Sequence, residues 1–170
     1  MKKSTSFFTV NNGEQALEVL NQKVIDLIVS DILMPKIDGF RLCFLVKSNH
    51  RFAHIPFVFY SANYKEQEAI DFARNIGADK YLVKPVDSNK LVEELSEIVL
   101  MAQLKGVGQL QLSETEFLMG YSVQVNEKLN SINEKLYETN INLMSANDNL
   151  AQTKKELLDA RKLLGVYCRP

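Results

Sequence analysis

The sequence predicts an α/β unit built on a parallel sheet, followed by one long α-helix of coiled-coil type. Three observations carry that expectation. Short apolar runs alternate with amphipathic stretches of helical period through the first hundred residues, the order that gives a parallel sheet with helices on its faces. Two of those runs, 26–30 and 56–60, have apolar centres without polar alternation, as strands buried on both faces should. Beyond residue 113 the turn punctuation stops, and leucine recurs every seven residues from Leu129 to Leu164.

The runs at 7–10, 26–29, 56–60 and 80–83 are rich in Val, Ile, Phe and Tyr and too short for helices, so they read as strands. Helical stretches follow them at 14–21, 40–48, 65–76 and 88–100. Asn11-Asn12-Gly13, Pro35 with Asp38-Gly39, Gly77-Ala78-Asp79 and Pro85 mark the turns. Gly106-Val107-Gly108 then breaks the alternation. The expected organisation is an α/β domain over 1–104, a glycine-containing linker over 105–112, a coiled-coil helix over 113–165 and a tail over 166–170.

Ser113-Glu114-Thr115-Glu116 reads as a capping box that opens the long helix. Its seam is Leu118, Ser122, Val125, Leu129, Ile132, Leu136, Thr139, Leu143, Ala146, Leu150, Thr153, Leu157, Ala160 and Leu164. Eleven of these fourteen are apolar, at alternating spacings of four and three. Leucine is placed at a, because the other frame sets Asn126, Asn133, Asn140, Asn147, Lys154 and Arg161 there, and a polar a residue costs stability. Such a stripe could pack on the chain's own domain. From Leu118 to Leu164, however, it runs about 70 Å at 1.5 Å per residue, well past the face of a hundred-residue domain. Six exposed leucines would also forgo roughly 9–18 kcal/mol of burial. A second copy is the expected cover, giving a homodimer through Leu129, Leu136, Leu143, Leu150, Leu157 and Leu164, with parallel pairing preferred over antiparallel.

Composition narrows the partners. Among 170 residues, 20 basic side chains stand against 21 acidic ones, so no global field exists for nucleic acid or an anionic membrane. The apolar stretch after the basic start is too short for a secretory signal or a membrane span, which places the chain in the cytoplasm. Cys43 and Cys168 lie far apart, with neither metal nor disulfide spacing; Cys43 belongs to an apolar helical face and is expected buried, Cys168 exposed. His50 and His54 have a helical metal spacing, but no third ligand lies nearby.

The residues that carry chemistry sit at strand ends. One strand runs into Asp31, the next ends in Tyr60-Ser61-Ala62, and the last in Tyr81-Leu82-Val83-Lys84-Pro85. Ligands of an open parallel sheet bind at the carboxyl ends of its strands. A carboxylate, a hydroxyl and an ammonium therefore converge on one crevice, a set suited to phosphoryl chemistry. Asp38, before Gly39, reads as a structural turn residue.

With Asn12-Gly13-Glu14-Gln15-Ala16-Leu17, the run from Asp31 to Phe40, Ser61-Ala62, Gly77-Ala78-Asp79 and Lys84-Pro85, residues 6 to about 100 resemble the receiver domain of two-component response regulators. The resemblance implies a flavodoxin-like sheet in which Asp31 accepts a phosphoryl group from a histidine kinase or phosphotransfer protein. It implies that Ser61 is the switch hydroxyl and that Lys84 pairs with a phosphoryl oxygen ahead of a cis bond to Pro85. Tyr81 is then the aromatic switch, whose ring turns inward once Ser61 moves. Asp31 and the backbone carbonyl of Leu33 would hold Mg²⁺. The family's sheet has five strands in order 2-1-3-4-5, its first strand ending in an acidic pair that helps bind the metal. Here the run at 7–10 matches the second strand; the first strand, its helix and the acidic pair have no counterpart.

Three accounts of that truncation stand: a late start, a remnant in which 6–10 pairs beside 26–30, or a strand supplied by another chain. The remnant is the working expectation. The function expected is a phosphorelay receiver that signals through a coiled-coil dimer, with Gly106-Val107-Gly108 as the hinge. The chain is read as a signalling protein, not an enzyme. The alternatives are a phosphorylation-incompetent dimerisation or scaffold module, and a fragment of a hybrid sensor kinase.

Overall fold

Polar side chains close the first turns of three helices. Asn12 Oδ1 accepts from the Gln15 N–H at 3.0 Å, Asp38 Oδ1 from Arg41 at 2.9 Å, and Asp87 Oδ1 from Asn89 at 2.9 Å. The computed structural model describes residues 6–62 and 67–167, with the side chains of residues 105 and 163–167 outside the description. The elements are α1 (Gly13–Gln22), β1 (Ile28–Ser30), α2 (Gly39–Ser48), β2 (Phe57–Ser61), α3 (Gln67–Asn75), β3 (Lys80–Val83), α4 (Ser88–Lys105) and α5 (Glu114–Tyr167). The α/β class and the long C-terminal helix are as expected. Cys168 lies outside the described residues.

The sheet has order β1-β2-β3 and is parallel throughout, with Ser30 opposite Phe59 and Ser61 opposite Val83. Phe57 and Phe59 point to the face that carries α2 and α3, where Phe40, Cys43, Val46, Phe72 and Ile76 close the core. Phe40 meets Phe59 and Phe72 edge-on, at centroid distances of 5.4 and 5.2 Å. Cys43 is fully buried, as expected, and burial pushes its thiol pKa well up. The other face carries Val29, Val58 and Leu82 and is covered only in part. No described side chain of α4 is buried, Val29 is 43% exposed, and a cavity of about 320 Å³ opens among Val24, Ile25, Pro56, Val99 and Ala102.

The run at 6–10 is not a strand, which corrects the expectation that it pairs beside 26–30. It joins no sheet, β1 stays at the sheet edge, and Phe7 is 86% exposed. β-Branched and aromatic residues supply strand propensity, but a strand exists only against a partner's backbone.

Residues 107–112 form a strap rather than a loose hinge. The Gly108 N–H donates to Asp79 Oδ1 at 2.5 Å, the Gln111 N–H to the Asn75 carbonyl at 2.9 Å, and Leu110 and Leu112 pack on the core. Asp79 Oδ2 also accepts from the Phe57 N–H at 2.8 Å and from the buried Lys47 ammonium at 3.1 Å. That carboxylate thus ties β2, α2 and the strap together.

Ser113 opens α5 through the expected capping box: the Ser113 N–H donates to Glu116 Oε2 at 2.8 Å, and the Glu116 N–H returns to Ser113 Oγ at 3.3 Å. The helix then packs on the core side of the sheet. Phe117 stacks on Phe44 at 4.1 Å and on Phe72 at 5.9 Å. Gly120 passes so close to Phe72 that a Cβ would meet its ring at 2.6 Å. Tyr121 reaches Asp38, at the start of α2, so the first turns of α5 run antiparallel to α2.

Phe117, Gly120, Tyr121 and Gln124 make one helical stripe; Leu118, Ser122, Val125 and Leu129 begin another, displaced by one residue or about 100° around the helix. Phe117 and Gln124 are buried, whereas Leu118 and Leu129 are exposed. The chain divides into compact units 1–124 and 125–170.

Candidate phospho-acceptor site

Three parallel strands bring their C-terminal ends to one edge of the sheet, and the chain sets a reactive side chain at each. Asp31 follows β1, Ser61 closes β2, and Lys84 follows β3. The three meet. Ser61 Oγ donates to Asp31 Oδ1 at 2.6 Å, Lys84 Nζ to Asp31 Oδ2 at 2.7 Å, and the Ile32 N–H to Oδ1 at 2.7 Å. The Lys84 ammonium also lies 5.1 Å from the centre of the Tyr60 ring, and the Lys84–Pro85 bond is cis. Burial raises the pKa of the Asp31 carboxyl. Hydrogen bonds from Lys84, Ser61 and the Ile32 N–H, with the charge of Lys84, outweigh that and hold it below the ordinary value of 3.8. At neutral pH the site offers an ionised carboxylate beside a cation.

The loop after Asp31 is fixed from both sides. Gly39 is the only residue type that fits where the chain returns, since a Cβ there would meet the Asp31 carbonyl oxygen at 2.2 Å. The Gly39 N–H donates to the Ile32 carbonyl at 2.9 Å. On the α1 side, the Gly13 N–H donates to the Ile37 carbonyl at 3.0 Å. Lys36, at a φ of 65°, pairs there with Glu14 at 2.8 Å. Tyr81 is half-buried, its ring 5.9 Å from Phe59 and packed against the core.

The donors that could hold a divalent cation here are the Asp31 carboxylate and the backbone carbonyl of Leu33. No group of three or more His, Cys, Asp and Glu side chains comes together among the described residues. One carboxylate is the smallest set from which Mg²⁺ is bound, because the ion keeps several waters and takes phosphate oxygens. The residues fit Mg²⁺ at that minimum.

A strand-end triad of this geometry on a parallel α/β sheet defines a receiver, and the family model of the response regulator receiver domain matches residues 2–96. The chain belongs to that family. Among curated proteins it is 28% identical to the probable transcriptional regulator ycf29 of Pyropia yezoensis, over 74% of this chain and 56% of the relative. It is 40% identical to the chemotaxis protein CheV3 of Helicobacter pylori, over 52% and 30%. The chain therefore spans between about a third and just over half the length of these two relatives. Among solved structures, the signal receiver domain of a signal transduction histidine kinase from Syntrophus aciditrophicus superposes with a TM-score of 0.50 at 27% identity, covering 61% of this chain and 76% of that one. A CheY-like receiver from Methanospirillum hungatei, at 23% identity and TM-score 0.50, shows the same fold; the match covers 56% of this chain and 74% of that one.

Two features escape sequence reasoning. Asp38 is more than a turn residue, since Oδ1 caps α2 while Oδ2 accepts from the Tyr121 hydroxyl. Tyr121 lies 83 positions away and beside the leucine seam, so no local pattern marks it. No helix among the described residues is long and apolar enough to cross a membrane.

Proposed function

We propose that the chain takes a phosphoryl group onto Asp31 from a histidine kinase or phosphotransfer protein and passes the change to a long helix that pairs with a second copy. The convergence of Ser61 and Lys84 on the Asp31 carboxylate carries the reading. In the transfer, a carboxylate oxygen of Asp31 attacks phosphorus, the donor's nitrogen–phosphorus bond breaks, and an acyl phosphate forms. Lys84 neutralises charge on the phosphoryl oxygens, and Ser61 donates a hydrogen bond to one of them. Mg²⁺, held by Asp31 and the Leu33 carbonyl, would supply further charge neutralisation. Tyr81 follows Ser61 as the aromatic switch. Leu129, Leu136, Leu143, Leu150 and Leu157, each 52% to 68% exposed, supply the pairing stripe, with Leu164 continuing its heptad spacing.

Incubation with acetyl phosphate and Mg²⁺, read by intact mass, tests the reading. The wild-type chain is expected to gain one phosphoryl mass and Asp31→Asn none. No gain on wild type, or an equal gain on the variant, rejects Asp31 as acceptor. A second reading, a phosphorylation-incompetent dimerisation module, is favoured by one observation: Asp31, the one carboxylate at the crevice among the described residues, is already satisfied by Lys84, Ser61 and Ile32. The same experiment separates the two.

A further inference from the structure

We propose that Tyr121 is a positioning residue that couples phosphorylation of Asp31 to helix α5, through Asp38 and independently of the strap at 107–112. The inference rests on the reading of Asp31 as the acceptor. A short path of contacts joins the two residues. The Asp31 carboxylate holds the Ile32 N–H, and the Ile32 carbonyl holds the Gly39 N–H. Gly39 is bonded to Asp38, whose Oδ2 accepts from the Tyr121 hydroxyl. Gly39 sits against the Asp31 carbonyl with no room for a Cβ, so the two ends of the loop cannot shift independently.

Aromatic packing gives the path a rigid backing. Phe40 meets Phe72, Phe72 stacks on Phe117, and Phe117 stacks on Tyr121 at 5.4 Å. Tyr121 is therefore held by its ring and aimed by its hydroxyl. It lies three residues before the last residue of the first compact unit, Gln124.

The direction of coupling follows from the site. A phosphoryl group on Asp31 converts one carboxylate oxygen to the bridging oxygen of an acyl phosphate and draws Ser61 and Lys84 outward onto the phosphoryl oxygens. The Ile32 N–H then loses part of the charge it now binds, and the loop from 32 to 38 shifts. The Asp38–Tyr121 bond holds the loop in its unphosphorylated form and opposes that shift. By linkage, phosphorylation loosens the bond, and removal of the bond favours phosphorylation.

Tyr121→Phe removes the hydroxyl and keeps the ring stack. The full chain, wild type and variant, is incubated with acetyl phosphate and Mg²⁺. The phosphoryl mass is followed in time, and amide hydrogen exchange is measured over residues 117–135 before and after. At one fixed donor concentration the variant is expected to reach a plateau ratio of phosphorylated to unphosphorylated chain about fivefold higher, the low end of the usual coupling range. It is also expected to show, before any donor is added, the faster exchange that wild type shows only once phosphorylated. A plateau ratio in the variant equal to or below that of wild type, or exchange in wild type that phosphorylation leaves unchanged, overturns the coupling while leaving Asp31 as acceptor. Wild type that gains no phosphoryl mass overturns the acceptor reading, and the coupling with it.

Discussion

Asp31 keeps its charge in a site that is only partly wet, and the sign of its pKa shift makes this measurable. A carboxyl whose folded pKa is depressed contributes stability that is fully present above the unfolded value, near 3.8, and is lost as pH falls through the folded value. Wild type and Asp31→Asn are expected to differ in thermal midpoint by a constant amount from pH 5 to 7. That difference should shift below pH 4 in the direction that removes the wild-type contribution. A difference that stays constant down to pH 2 would mean that Lys84 and Ser61 do not hold the charge. The triad was legible in the sequence because each member directly follows or ends an apolar run. The Tyr121–Asp38 contact was not, since it depends on the path that α5 takes across α2.

Among the elements, α2, β2 and β3 follow closely from periodicity, with Phe57–Ser61 and Lys80–Val83 near their expected limits. The local signal sufficed there because these elements bury their apolar positions against one another. Residues 6–10 have a similar composition but do not pair with the free edge that β1 presents. The strap at 107–112 reads as a hinge because Gly106 and Gly108 flank its start, and the carboxylate that pins it lies some thirty residues earlier, at Asp79. Asp79→Ala removes the acceptor of the Phe57 and Gly108 amides and leaves Lys47 buried without its ion partner. Removing one member of a buried pair costs about 3–5 kcal/mol. Urea denaturation should show that loss, and hydrogen exchange should show early opening at Gly108 and Gln111. A variant that unfolds at the wild-type midpoint would remove Asp79 from its role as the tie.

At the scale of the whole molecule, one chain combines a receiver with a helix whose leucines no part of its own described fold covers. The double change Leu136→Lys with Leu143→Lys places charges at two successive leucines of the heptad spacing. It is expected to halve the solution mass measured by sedimentation equilibrium while leaving the phosphorylation rate of Asp31 within about twofold. An unchanged mass would assign pairing to another surface. The partly covered face around Val29 and α4 is the other apolar area of note, and its composition alone did not reveal that β1 lies at an edge.

Helix α5 carries two stripes one residue out of step, and that offset makes spacing a variable in its own right. One extra residue between Tyr121 and Val125 would turn every later leucine by about 100° about the helix axis while changing no side chain in either stripe. Four extra residues would bring them back to within about 40°. The stripe at 117–124 and the leucine heptad are thus kept in step along one helix by a count of residues alone, and a change in that count leaves every recognisable motif in place.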